Sequence, residues 1–372
     1  MLADKSNPCL YCGRSADDNL KFIRNGKLFL HLDRIGMLVK EGWCPPICLE
    51  VHPTNVCNCI CTACSSAEFR TKDPHLAIDS RILTRALAEF KDISGKSVLW
   101  SGGGEPFLYE CPKTGRRFED MLHFAHQLGL QQGIYSNGTR ISKSERLTVL
   151  SVCSFIRFSL DAFSAHTYRA VHRTPAYDAV LRNIKLSIKD RNRLGSSTTI
   201  GISYVIRQEN IEDLIALPKW TDILEPDYVL FRPVSSTPEN NLKTDMLERA
   251  YELLMKVKEQ VPPHVMVIIQ HDKFRRFLGK EDSDCSFPCY VGLLTPTLAA
   301  DGELYQCCHF TGVPGFRLMK MSKGHLACVL KKTKVRVLQP SDRCPENCRN
   351  IRISNDIKLI KQMLDEPHVN FV

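Results

Sequence analysis

No apolar run in this chain approaches the ~20 residues needed to cross a bilayer, so a membrane-spanning helix is not expected. The opening residues, Met1-Leu2-Ala3-Asp4-Lys5-Ser6-Asn7-Pro8, lack the apolar core of a secretion signal. There is no internal repeat and no low-complexity tract, which argues against a solenoid or a disordered linker. No nucleic-acid-binding motif accompanies the net charge of +9, and the 50 Lys and Arg are dispersed among 41 Asp and Glu. The densest basic stretch, Lys331-Lys332-Thr333-Lys334-Val335-Arg336, reads as a solvated face, so nucleic acid is not an expected partner. An anionic or phosphorylated substrate stays open.

Cysteine is abundant, at 17 in 372 residues. In a secreted protein that count would imply disulfides, but without a signal the expected compartment is the reducing cytoplasm. The length suits one substantial domain plus a smaller module, and 43% hydrophobic residues can furnish the core.

Cys57, Cys61 and Cys64 lie in Val56-Cys57-Asn58-Cys59-Ile60-Cys61-Thr62-Ala63-Cys64, with three residues between the first pair and two between the second. Three close thiolates without a fourth at ligand spacing can hold three irons of a [4Fe–4S] cluster and leave one iron open to a ligand. Zinc sites also use such spacings. Cys59 is extra, and the spacing is satisfied with its thiol pointing away.

Further along, the apolar run Val98-Leu99-Trp100 ends in Ser101-Gly102-Gly103-Gly104-Glu105-Pro106. Glycines let backbone carbonyls approach an ammonium closely, and Glu105 adds a formal charge. Gly133 to Thr139, Ile156 to Ala162, Thr199 to Val205 and Tyr228 to Val234 are further β-type runs, several ending in polar residues. Segments with helical periodicity lie between them or follow them, at Ile82 to Phe90, Phe118 to Leu128, Ala179 to Arg193 and Asp245 to Glu259. Strands alternating with helices argue for a parallel sheet with right-handed crossovers, delivering side chains at the strand ends.

In this order the motifs resemble the radical SAM superfamily, in which a reduced cluster splits S-adenosylmethionine to a 5′-deoxyadenosyl radical that takes hydrogen from the substrate. The resemblance implies an α/β fold, a partial (β/α)6 TIM-like barrel running from about Ile47 to Val234, with a side gap for the C-terminal region to cover. It implies that Cys57, Cys61 and Cys64 hold the cluster, and that Gly103, Gly104, Glu105 and Pro106 bind the amino end of the cofactor. It implies further that Ser159 and Asp161 lie near the ribose and methionyl group, with Asn137 near the same pocket. Arg232 would face the cofactor carboxylate or the substrate, and Thr199 to Val205 would cradle the adenine. The residue before the last cluster cysteine is usually aromatic in the family; here it is Ala63, so adenine packing must come from elsewhere.

The C-terminal region carries Cys285, Cys289, Cys307, Cys308, Cys344 and Cys348, with Asp301-Gly302 reading as the turn of a β-hairpin. Twelve residues separate Cys289 from Gly302 and four separate Gly302 from Cys307, which is similar to the hairpin of SPASM and Twitch auxiliary-cluster domains. A second [4Fe–4S] cluster is therefore expected on Cys289, Cys307, Cys344 and Cys348, with Cys285 and Cys308 as substitutes and zinc as the alternative. The expected division is an N-terminal Cys-containing extension at 1–46, the barrel at 47–264 and the small Cys-rich auxiliary-cluster module at 265–372. Cys9, Cys12, Cys44 and Cys48 suit either a small zinc site or unpaired thiols. Cys111, Cys153 and Cys328 read as buried small side chains.

Superfamily membership would fix hydrogen abstraction and leave its sequel open. An auxiliary cluster suggests electron removal, hence an oxidoreductase acting on a polar small molecule such as an aminosugar, cyclitol or nucleoside-type intermediate. The electron donor would be a flavodoxin or ferredoxin. The alternatives are a maturase that crosslinks or epimerises a ribosomal precursor peptide and a non-enzymatic iron–sulfur or zinc scaffold. Against the maturase, the first fifty residues look short for a complete leader-binding winged helix; against the scaffold, Glu105, Ser159 and Asp161 would have no cofactor to serve.

Overall fold

The computed structural model describes residues 25–234, 242–279, 288–326, 328, 344, 348 and 350–364. Cys9, Cys12, Cys285 and the basic run at 331–336 lie outside the described residues. A 3₁₀ turn and α1 (Leu32–Glu41) lead into β1 (Cys48–Val51), α2 (Ala67–Lys72) and α3 (Ser80–Asp92). Next come β2 (Ser97–Trp100), α4 (Phe118–Gln127), β3 (Gln131–Ser136), α5 (Lys143–Val152) and β4 (Phe155–Ser159). They are followed by α6 (Ala165–His172), α7 (Tyr177–Leu194), β5 (Thr199–Ile206), α8 (Leu217–Leu224), β6 (Tyr228–Pro233) and α9 (Thr244–Lys258). The chain continues through β7 (Met266–Ile269), α10 (His271–Phe277), α11 (Val291–Leu294), β8 (Thr297–Leu298), β9 (Glu303–Tyr305), β10 (Arg317–Lys320) and α12 (Ile351–Leu364).

Local chemistry sets the helix boundaries. Ser142 and Glu145 form a reciprocal capping box at the start of α5. Ser164 accepts the Thr167 N–H at the start of α6, and Gly195, at φ +62, closes α7 in the left-handed conformation. No helix among the described residues is long and apolar enough to cross a membrane.

Among the described residues ten strands form one sheet in the order β10-β9-β8-β1-β2-β3-β4-β5-β6-β7, with β1 to β7 mutually parallel. Strands β1 to β6 are the partial barrel expected from the sequence. The sheet runs one strand further: β7 pairs in parallel with β6 beyond residue 264, where the C-terminal module was expected to begin. A four-residue run, Met266-Val267-Ile268-Ile269, is too short to carry a period of its own. The hairpin turning at Asp301-Gly302 joins the sheet at its other side, where β8 pairs in parallel with β1 and antiparallel with β9. Helices α1 and α12 pack against each other, bringing the two end segments of the described chain together.

Alternation along the strands separates two faces. Gln132 on β3 accepts the Trp100 indole N–H at 2.9 Å and donates to Leu122 O of α4 at 2.9 Å, so its face is the one that meets the helices. On that face Val51, Trp100, Ile134, Phe158, Ile202 and Val229 are completely buried. Trp100 and Phe118 of α4 meet edge to face with centroids 5.4 Å apart. The opposite, inner face is mixed: Glu50, Tyr135, Arg157, Ser159, Ser203, Tyr228 and Arg232 share its parity by register with Leu99, Phe155, Val205 and Leu230. There Arg157 Nε donates to Tyr228 Oη at 2.8 Å and Nη1 to Tyr135 Oη at 3.2 Å, with its guanidinium 4.7 Å from the Tyr135 ring centre. Gly201 is needed beside this row, because a Cβ would come 2.0 Å from the Tyr228 ring.

Candidate functional site

The cysteine loop leaves the C-terminal end of β1 and is fixed at its base. Thr54 Oγ1 donates to Leu76 O at 3.1 Å, Asn55 N donates to the same carbonyl at 2.8 Å, and Asn55 Nδ2 donates to Asp73 O at 2.9 Å. The glycine turn after β2 lies directly against it: Gly104 N–H donates to Thr54 O at 2.6 Å and Glu105 N–H to Val56 O at 2.8 Å. Only glycine permits this approach. A Cβ on Gly104 would stand 2.0 Å from Val56 O, and Gly103 holds φ +89 with Thr54 O 2.9 Å from where its Cβ would be.

Glu105 is 3% exposed and accepts three bonds, from Ser136 Oγ at 2.7 Å, Asn137 N at 2.7 Å and Phe107 N at 3.3 Å. Burial outweighs those bonds and raises its pKa to about 7. Pro106 starts the 3₁₀ turn that follows. Past Glu105, Asn137 Nδ2 donates to Asn58 Oδ1 at 2.9 Å, Asn58 Nδ2 to Thr139 Oγ1 at 2.7 Å, and Thr139 Oγ1 to Asn137 Oδ1 at 2.7 Å. This closed ring sits beside Cys57, whose sulfur is 3.9 Å from Asn137 Nδ2.

The far half of the loop is held by different elements. Ile60 N donates to His172 O and Thr62 N to Val171 O, both at 3.1 Å. His172 is 2% exposed; Nδ1 lies 3.1 Å from Cys61 Sγ, and Nε2 lies 2.9 Å from Leu160 O and 3.7 Å from Asp161 Oδ2. Asp161 adopts φ +53, accepts the Val205 N–H at 2.6 Å through Oδ1, and accepts Asn210 Nδ2 at 2.9 Å through its carbonyl. Arg207 Nη1 donates to Thr62 Oγ1 at 2.6 Å. Asn58, Thr62, Thr139, His172 and Arg207 are therefore site residues that the sequence reading did not single out. Asn58, Thr62 and Thr139 lie within the cysteine motif and the run Gly133 to Thr139, but nothing in the sequence marks a histidine at the end of α6. Of the expected residues, the structure sets Gly103, Gly104 and Glu105, with Pro106 following, against the base of the cysteine loop, Asn137 beside Cys57, and Asp161 near Cys61 through His172. Ser159 ends β4 opposite Ser203 of β5, and Arg232 lies on β6, two strands from Ser159 and in register with Val205 of β5.

Cys57, Cys61 and Cys64 are all half-buried. Cys59 does not point away: it is 2% exposed, and its thiol hydrogen-bonds to both Cys57 and Cys61. Spacing says which thiols can ligate, but the tight turn of the loop carries Cys59 between its neighbours. That bond is the main cause lowering the Cys57 and Cys61 thiols, with His172 a further contributor at Cys61, while burial raises Cys64. Among the described residues no three His, Cys, Asp or Glu side chains stand ready as a metal cage. The donor set nevertheless fits an iron–sulfur cluster. Three soft sulfur donors from one loop meet the end of the barrel with a hydrogen-bonded second layer already in place.

A second thiol group occupies the C-terminal region. Cys289, Cys307, Cys308 and Cys344 pack with Val291, Phe310, Val313 and Phe316 in a cluster separate from the main core. Phe310 and Phe316 stack with ring centres 3.9 Å apart, and the Cys348 sulfur accepts the Asn350 N–H at 3.5 Å and lies close enough to Cys307 to perturb its charge. Elsewhere Cys44 is buried, which raises its thiol to about 11, Cys48 is half-buried, and Cys111 and Cys153 are buried as expected. Cys328 is exposed, contrary to expectation.

Residues 51–220 match the family model of the radical SAM superfamily, whose members use a [4Fe–4S] cluster and S-adenosylmethionine. Among solved structures the chain is similar to Streptococcus suis SuiB bound to S-adenosylmethionine, at 17% identity and TM-score 0.64 over 91% of this chain and 80% of that one. It is also similar to SuiB bound to precursor peptide SuiA, at 18% identity and TM-score 0.63 over 90% and 77%. Native anSMEcpe with bound AdoMet follows at 15% identity and TM-score 0.58 over 83% and 88%. At these identities the likeness is one of fold. No curated protein matches the chain by sequence.

Glu105 predicts a pH dependence. Its folded pKa, about 7, lies above the ordinary 4.5, so the folded state holds this proton more tightly than the unfolded chain. The stability it contributes is complete below about 4.5 and lost as pH rises through about 7. Relative to Glu105→Gln, the wild type should lose about 3 kcal/mol between those limits, at roughly 1.4 kcal/mol per pKa unit. Urea denaturation of both proteins across this range checks it, and parallel stability curves would contradict it.

Proposed function

We propose that this chain is a radical SAM enzyme, as the match of residues 51–220 to that superfamily supports, that Cys57, Cys61 and Cys64 hold the irons of its cluster and that the cofactor's amino end lies at the Gly103-Gly104 turn. The observation that carries this reading is the gathering of the cysteine loop, the glycine turn and Asn137 at one end of the sheet by the bonds of Glu105. When bound, the cluster and S-adenosylmethionine supply reductive cleavage of the sulfonium and abstraction of a substrate hydrogen. The chain's own residues set the geometry. With three donors already on its carboxylate, Glu105 orders the turn and leaves the approach to an ammonium to the glycine backbone. Asn137 and Asn58 hold the first half of the cysteine loop, and His172 with Arg207 holds the second. Ser159 and Arg232 face the space inside the sheet, where they can meet the ribose and a carboxylate.

The substrate, in this reading, is a polar small molecule such as an aminosugar, cyclitol or nucleoside-type intermediate. Support comes from the polar side chains that the inner face carries among its apolar ones, Glu50, Arg157, Ser203 and Arg232. A ribosomal peptide is the second reading, supported by the fold shared with SuiB in complex with precursor peptide SuiA. A second cluster on Cys289, Cys307, Cys344 and Cys348, whose thiols share one neighbourhood, would take the electron removed from the substrate and make the enzyme an oxidoreductase. Flavodoxin or ferredoxin is the proposed electron donor.

Anaerobically reconstituted protein given dithionite and S-adenosylmethionine should form 5′-deoxyadenosine even without substrate. Chromatography decides it; a wild-type yield no greater than that of Cys61→Ala would reject the reading. Replacing Cys57, Cys61 and Cys64 together by Ala should still leave about four irons per chain if the C-terminal thiols bind a cubane. Metal and sulfide analysis that finds zinc, or no metal, in that triple variant would contradict the second cluster.

A further inference from the structure

On the outer side of the sheet, at the rim that carries the cysteine loop, lies a cavity of about 470 Å³ between the loop after β2, the start of α5 and the flank of α7. Three arginines line it: Arg117, Arg140 and Arg182. Two carboxylates line it as well, and they do not balance the arginines. Glu145 is buried, accepts the Ser142 N–H at 2.8 Å as part of the α5 cap, and lies 3.5 Å from Arg117 Nη2. Glu110, on the opposite strand of a short bridge to Arg117, is exposed. Arg140 and Arg182 have neither a hydrogen-bond nor an ion-pair partner among the described residues, so their guanidiniums face the cavity's solvent with their donors available. The first turn of α5 opens at the same wall and adds the positive end of a helix dipole.

Guanidiniums brought to one concave site with only Arg117 paired to a carboxylate repel one another, and an anion that bridges them removes that cost. Planar, bidentate guanidinium donors suit phosphate oxygens in particular. We propose that this cavity binds the phosphate or diphosphate group of a small organic molecule, held by Arg140 and Arg182 with Arg117 at the edge. The volume leaves room for a sugar or base beyond the phosphate. Thr139 belongs both to the cavity wall and to the ring of hydrogen bonds with Asn137 and Asn58 beside Cys57, so a ligand here would bear on the cysteine loop from outside. The site stands independently of the proposed radical chemistry, since none of its arginines contacts the cysteine loop.

Isothermal titration calorimetry of the full chain as isolated, at low ionic strength, tests the proposal with uridine diphosphate, inorganic pyrophosphate and uridine as probes. The two phosphate probes should bind, more weakly as salt is added, and uridine should not. Arg140→Ala with Arg182→Ala should weaken phosphate binding by about tenfold or more for each guanidinium removed. Lys219→Ala, at an exposed site elsewhere, should bind as wild type. Uridine diphosphate tighter than pyrophosphate would identify an organic phosphate ester as the ligand, and equal affinities a free inorganic anion. Absence of binding by both phosphate probes, undiminished binding in the folded double variant, or uridine binding as tightly as its diphosphate would overturn the site. None of these outcomes depends on deoxyadenosine formation, so the site and the radical reading fail separately.

Discussion

The hydrogen bonds from Gly104 N–H to Thr54 O and from Glu105 N–H to Val56 O dictate where the cysteine loop begins, and the remainder of the site follows from them. They require a backbone approach that any side chain at Gly104 would block, since its Cβ would overlap Val56 O. That approach carries Glu105 into the interior, where its carboxylate collects Ser136 and Asn137 from the next strand end. Asn137 in turn orients Asn58, the neighbour of Cys57. On the far side His172 and Arg207 hold Cys61 and Thr62. A loop fixed from opposite sides by different strands presents its thiols from a rigid frame, as a preorganised ligand set requires.

The barrel supports this by separating its faces. The outer face is apolar and buried under helices, and supplies the cohesion of the sheet. The inner face can then carry Glu50, Arg157 and Arg232 at the strand positions that look into the barrel. Charged groups there are tolerated because they are paired, as Arg157 is with Tyr135 and Tyr228. The hairpin of β8 and β9 extends the sheet beyond β1 and places Cys307 and Cys308 just after its second strand, next to Cys289.

Much of this was legible in the residues. Strands β2 to β6 stand out because short β-type runs end in glycine or polar turns that match the motif order, and α3, α4, α7 and α9 because their periodicity spans several turns. The Asp301-Gly302 hairpin was readable because a left-handed glycine, here at φ +74, has a sequence signature. Strand β7 was not, since four apolar residues fit a helix or a strand equally well. The contacts of Cys59 and His172 depend on the path of the loop and on where α6 ends against it, which are tertiary facts. Glu105 was found by its motif, but its role differs: the sequence offers a charge for a ligand, and the structure shows a buried carboxyl satisfied by its own chain. Cys328 shows the limit of composition arguments, because a preference for burial gives way to the local path of the chain.

The central claim is that Cys57, Cys61 and Cys64 hold a cluster with one iron left open to S-adenosylmethionine. Electron paramagnetic resonance of the dithionite-reduced protein, recorded with and without S-adenosylmethionine, tests it most directly. The wild type should give a reduced-cluster signal whose g values shift when the cofactor is added, with no such shift in Cys61→Ala. Identical spectra with and without the cofactor in the wild type would contradict it.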